Sequence, residues 1–255
     1  MGSFSLFAVL LLVLFARGNN AARLYPTSQK AADHEMLAGE YYGVSVTMDV
    51  YDFLLTSDQY SLAGVRIFNE GDGAATSLSV IQVNPGTFGG DSATHLFGFW
   101  SPEAGAPIAL GDVISPVSQP NGAKQTITVK VIKDTASGDW LVHYGFNQGD
   151  PKLIGRYPKS LFTGGLADRA THINIGGVVQ ASNTGLVPMG SGYLPTNDSM
   201  AMAASFSNIE IIDRNGKALL LNHDFPGYSS KPDVYSVSPV INGQFFYGGP
   251  YRTTT

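Results

Sequence analysis

Hydrophobic and polar residues alternate along much of this chain. Val44, Val46, Met48 and Val50 alternate with Ser45, Thr47 and Asp49, and Ile127, Val129 and Val131 alternate with Thr126, Thr128 and Lys130. A period of two gives each segment one apolar and one polar face, which predicts half-buried β-strands. The second run meets turn residues at 134–139 and then an apolar stretch at 140–144, the pattern of a β-hairpin. Another hairpin is predicted from 208–212 to 218–221, with Asn215-Gly216 supplying both φ > 0 residues of a type I′ turn. Short strands at near-regular spacing, with no repeat, low-complexity tract or linker between them, predict one all-β, antiparallel domain. The pattern alone leaves sandwich and barrel both open. One segment reads differently: Ser28 as a cap and Gly39 as a stop predict a brief helix through Ala31, Ala32, Met36 and Leu37. It falls in a short lead-in, 23–39, ahead of a domain spanning 40–255.

Residues 6–16 break the alternation with an unbroken apolar run, too short to span a bilayer and of the right length for a signal-peptide core. Small residues around Gly18, or Ala22, offer the cleavage site, so 1–22 is read as a signal peptide. The mature chain is then expected to be secreted, in the extracellular space or the cell wall, without a membrane anchor. Charged residues make up 14% of the chain, below the roughly 25% of an average globular protein, and this favours short strands and tight turns over solvent-laced helices. The formal net charge is −5 with no Lys/Arg cluster, so nothing matches a phosphate backbone and nucleic acid is excluded as an expected partner. Cysteine is absent, which removes disulfides and thiolate metal ligands and leaves burial to hold the domain together.

Ten short motifs then appear in an order that resembles the neprosin domain of plants. They are Tyr41-Tyr42-Gly43, Gln82-Val83-Asn84-Pro85, Leu96-Phe97-Gly98-Phe99-Trp100, Ser115-Pro116-Val117-Ser118, Gly138-Asp139-Trp140, Tyr157-Pro158, Leu161-Phe162, Gly176-Gly177, Met189-Gly190-Ser191-Gly192 and Phe246-Tyr247-Gly248-Gly249-Pro250. The resemblance implies a two-sheet β-sandwich and a secreted glutamic peptidase that cuts after proline. It also implies a long propeptide between signal and domain, which is not seen here, and in many members a Cys pair in the loop at 101–112. Without that pair, the loop is either freer or held by Pro102 and Pro107.

A glutamic peptidase needs two groups converging on one water. Two carboxyls sharing a site cannot both ionise cheaply, so one keeps its proton and polarises the scissile carbonyl while the other takes the water's proton. The resemblance places the first glutamate four residues before Gln82, at Leu78, and the second directly after Gly176-Gly177, at Val178. Neither aliphatic side chain can fill either role, so no catalytic acid is intact at these positions. Five glutamates remain, Glu35, Glu40, Glu70, Glu103 and Glu210, all away from the matched positions. Gln180, two residues beyond Val178 and therefore on its face of a strand, is the candidate polar remnant; an amide can donate to an oxyanion but cannot deprotonate water.

Trp100, Trp140, Tyr157 and Tyr247 are the candidate substrate-binding residues, since proline rings stack on aromatic faces; plain core packing is the alternative. The histidines are dispersed and the glycine-rich turns fit neither a serine elbow nor a phosphate loop, so neither metal nor cofactor is expected. Asn197-Asp198-Ser199 is a glycosylation sequon in a Pro/Ser-rich loop. Three functions stay open. The favoured one is a catalytically degenerate neprosin-like module that binds proline-rich extracellular polypeptides. The second is an active post-prolyl endopeptidase running on a relocated carboxylate. The third is an extracellular structural or defence protein with no cleft ligand.

Overall fold

The alternation read from the sequence is realised strand by strand. Strand β7, Thr126–Lys133, buries Ile127, Val129, Val131 and Lys133 and turns the intervening residues outward. It pairs on one side with β2, Gly43–Asp49, and on the other with β8, Trp140–Phe146. The structure, a computed structural model, describes residues 28–36, 38–69, 77–98, 100–162, 164–182 and 185–250, the side chains of 77–82 excepted. The signal-peptide residues, the first part of the lead-in, Leu37 and Glu70 lie outside the described residues.

Among the described residues the strands form two antiparallel sheets. The larger includes β6 Ser101–Pro102, β9 Lys152–Tyr157, β11 Met189–Gly190, β12 Ala204–Ile212 and β16 Phe245–Gly249, and runs β11-β16-β12-β2-β7-β8-β9-β6. The smaller has six strands in the order β14-β1-β10-β3-β4-β5. Its ranges are β1 Gln29–Met36, β3 Gln59–Phe68, β4 Ser77–Val83, β5 His95–Leu96, β10 His172–Ala181 and β14 Gly227–Ser229. A continuous apolar core, with Phe206, Phe245 and Tyr247 among its largest side chains, lies between the sheets. The fold is therefore the antiparallel two-sheet sandwich implied by the sequence.

Two local expectations are corrected. Residues 29–36 form no helix: they are strand β1, paired along their whole length with β10 and in part with β14. Ala32, His34 and Met36 supply the buried, core-facing positions, and the pattern was disguised by the histidine among them. His34 is accommodated because its ring nitrogens lie 2.9 and 2.8 Å from the carbonyl oxygens of Phe225 and Ser238. The turn at Asn215-Gly216 is also different, since only Gly216 has positive φ. The Asp213 carboxylate accepts from the backbone N–H of Asn215 at 2.8 Å and of Lys217 at 3.0 Å, closing a three-residue loop that ends in a left-handed glycine.

The glycine pair in β10 sets how closely the layers approach. A side chain at Gly176 would run into Asp33 and the Ala32 carbonyl on β1, and one at Gly177 would meet Met189 and Tyr247 across the core. The two residues therefore serve opposite faces of one strand.

Within the larger sheet a buried carboxylate ties β2 to β12. Asp49, 3% exposed at the end of β2, accepts from the backbone N–H of Ser205 at 2.9 Å, from its hydroxyl at 3.1 Å and from Lys124 Nζ at 2.9 Å. Replacing Asp49 by Ala leaves the Ser205 amide buried without a partner, so a loss of about 2–4 kcal/mol is expected. Lys124→Met leaves Asp49 with both Ser205 donors and removes a partly exposed cation, for an expected loss of about 1 kcal/mol. Urea denaturation of the two variants checks this; equal losses would contradict it.

Candidate functional site

In β10, residues 173, 175, 177 and 179 face the core, leaving 174, 176, 178 and 180 on the outer face of the six-stranded sheet. Cross-strand register extends this face into rows. Val178 lies opposite Ala31 of β1 and Leu62 of β3, Leu62 lies opposite Gln82 of β4, and Gln82 opposite His95 of β5. In the next row Gln180 lies between Gln29 and Tyr60.

Val178 is closed off by apolar contact. It is 6% exposed and forms a small cluster with Ala31 and Tyr60, against which Leu62 and Tyr228 pack. Beside it Gln29, itself buried, donates from Nε2 to the Tyr60 hydroxyl at 2.7 Å and to Gln180 Oε1 at 3.2 Å. Burial pushes the Tyr60 phenol well above its usual range, and the bond from Gln29 offsets only part of that. Gln180 shares the Val178 face and holds a neighbouring amide. Sequence reasoning missed Gln29 and Tyr60, because Gln29 lay in a segment read as helix.

Leu78 lies in a different register row. A register shift between Ala63 and Gly64 inserts one extra residue into β4, so that Leu78 lies opposite Val65. Val65 is a core residue, three positions along β3 from Leu62 and on the other side of the sheet. With regular pairing carried on from Gln82 and Leu62, Leu78 would have reached the Arg66 row, on the Val178 side. In register, Leu78 therefore pairs with Val65 while Val178 pairs with Leu62, three residues apart along β3.

The four aromatic candidates are corrected as well. Trp100, Trp140, Tyr157 and Tyr247 are all 6% exposed or less and belong to the main core. Trp140 donates Nε1 to the Leu166 carbonyl at 2.9 Å, and Trp100 packs edge-on against Tyr157. No ring offers a free face for proline stacking. Asn197 is exposed in a turn. Among the described residues, no three His, Asp or Glu side chains gather where they could hold a metal ion.

The concave surfaces lie elsewhere. One groove of about 550 Å³ runs between residues 107–115 and the ends of β8 and β9, and another of about 730 Å³ lies between residues 52–55, 90–93 and 186–188. Neither was legible in the sequence, since both are assembled from irregular loops.

The family model for Neprosin matches residues 103–250, more than half of the chain. That stretch contains Val178 and stops short of the Leu78 segment. No curated protein matches the chain. Among solved structures it is similar to Scytalido-glutamic peptidase with a peptide-based transition-state analog, at 15% identity over 88% of this chain and 99% of that one, with a TM-score of 0.47. It is also similar to SCP-B, a member of the Eqolisin family of peptidases, in a complex with the tripeptide Ala-Ile-His, at 13% identity over 88% and 99% of the two chains, with a TM-score of 0.48.

A carboxylate placed at Val178 would be surrounded by Ala31, Tyr60 and Leu62. Desolvation would raise its folded-state pKa above the unfolded value near 4.3, so the charged form disfavours folding. Val178→Glu is expected to be close to the natural chain in stability below about pH 4 and to fall behind it as pH rises through the unfolded and then the folded pKa. The expected deficit at neutral pH is about 2–4 kcal/mol. Denaturation midpoints at acid and neutral pH measure it; a deficit independent of pH would contradict the apolar description of this site.

Proposed function

The chain belongs to the neprosin family, and on that premise we propose that it is a secreted, catalytically degenerate member that binds extracellular polypeptides, proline-rich ones among them, without cutting them. The observation that carries this reading is the state of Val178. Peptide hydrolysis by two carboxyls requires a base that can take a proton from water at a site water can reach. Val178 supplies no base, and its burial among Ala31, Tyr60 and Leu62 leaves no place for the water. The signal-like run at 6–16 supports secretion, where polypeptides are the class of ligand a peptidase-derived surface would meet. The burial of the four aromatics withdraws ring stacking as the reason for a proline preference, so that preference is left to backbone shape.

The relocated-carboxylate reading retains one observation of its own. Asp33 lies on the Val178 face of the six-stranded sheet, opposite Gly176 and 1% exposed. Its weakness is distance: Gln180 pairs with Gln29, four residues along β1 from Asp33, which is about 13 Å at ~3.3 Å per residue. A carboxylate and an amide that far apart cannot share one water.

A fluorogenic Xaa-Pro peptide incubated with the purified protein at acid and neutral pH is expected to release no product above the enzyme-free blank. Cleavage that survives Val178→Ala and disappears in Asp33→Asn would overturn degeneracy in favour of the relocated carboxylate.

A further inference from the structure

The groove of about 730 Å³ is within the size range that encloses a small ligand or a few peptide side chains. Phe53, Leu55, Leu186 and Pro188 supply its apolar walls, and Asp52 and Asp91 are its charged lining residues. Among the described residues no Lys or Arg lines it. Leu54, 97% exposed, stands at its lip. A leucine left so fully in water beside an apolar concavity adds area that a ligand could cover.

Each wall is fixed by hydrogen bonds to a neighbouring element. Ser92 donates its hydroxyl to the Leu55 carbonyl at 3.3 Å and Thr94 donates to the Tyr51 carbonyl at 2.6 Å, joining the first wall to the second. The third wall is held by Tyr235, whose buried hydroxyl donates to the Val187 carbonyl at 2.9 Å and lies 3.3 Å from the Val187 N–H. Asp91 is oriented too: its Oδ1 accepts from the Ala93 N–H at 2.8 Å, and its Oδ2 lies 3.4 Å from His95 Nε2. A cavity with pinned walls loses little conformational freedom when a ligand enters.

We propose that this groove binds an extended peptide segment carrying a lysine or arginine next to apolar side chains, the cation lying between Asp52 and Asp91 and the apolar groups against Phe53, Leu55 and Pro188. The charge of the lining selects the ligand: two carboxylates, with no Lys or Arg among the described lining residues, repel acidic segments and attract basic ones, and the apolar walls exclude a fully hydrated polycation. The inference rests on the reading that this chain binds polypeptide without cutting it, and it gives that ligand a chemistry and a place away from Val178.

The test is titration calorimetry of the full chain with three acetylated, amidated tripeptides, Leu-Lys-Leu, Leu-norleucine-Leu and Leu-Glu-Leu, followed by mass analysis of each peptide. The lysine peptide is expected to bind most tightly and the glutamate peptide most weakly. Asp52→Asn with Asp91→Asn should weaken the lysine peptide by about tenfold or more, the loss of a charge-assisted contact, and leave the norleucine peptide unchanged. Leu54→Ser should weaken the lysine and norleucine peptides together. All three positions are solvent-exposed, so unchanged thermal midpoints are expected and serve as the folding control. Equal binding of the lysine and glutamate peptides, or no effect of the double aspartate change, would overturn the groove assignment. Absence of binding with every peptide intact would overturn it too, while leaving the non-cutting reading in place. Cleaved peptide would instead overturn the non-cutting reading.

Discussion

Strand β10 passes through the molecule with a different demand on each side, and the rest of the sandwich follows from how that demand is met. At Gly177 the strand lies against Met189 and Tyr247, and at Gly176 it lies against Asp33 of β1, with no room for a β-carbon at either. That double approach seats β1 beside β10 along eight register pairs and brings the aromatic group of Phe206, Phe245 and Tyr247 into the core behind it. It also fixes the place of the following residue. Val178 emerges on the outer face directly after the glycines, held in position by the close packing before it.

A residue presented so precisely would be well suited to chemistry, and the physical content of this chain is that the position has been given to packing. Around Val178 the neighbours are Ala31, Tyr60, Leu62 and Tyr228, an environment that favours a methyl group and penalises a charge. In the next row across the sheet Gln29 donates to both Tyr60 and Gln180. In β4 an extra residue between the partners of Ala63 and Gly64 shifts the register and pairs Leu78 with Val65. The apolar surroundings of Val178 are the observation on which the non-cutting reading rests.

The strands with strict alternation, β7 above all, were legible because a polar residue at every second position needs only one buried face to explain it. β1 was not legible. Its core-facing row includes His34, which is buried only because two distant carbonyl oxygens receive its ring, and those partners are 191 and 204 residues away in sequence. The position of Val178 could be read from the motif, since the glycines before it are required by close approach. The register of Leu78 could not, because a bulge depends on how the partner strand pairs and leaves no mark in the local pattern. Trp100, Trp140, Tyr157 and Tyr247 showed their size in the sequence, but their exposure was decided by the opposite sheet.

The central claim, that this face no longer activates water, can be measured independently of any chosen cleavage assay. Peptides ending in proline are incubated with the protein in ¹⁸O-labelled water, and label entering the terminal carboxyl is followed by mass spectrometry. A working pair of acids would exchange those oxygens by making and breaking the peptide bond or its hydrated intermediate. The account predicts exchange no faster than in buffer alone, at acid and neutral pH. Protein-dependent incorporation at the terminal proline carboxylate would contradict it.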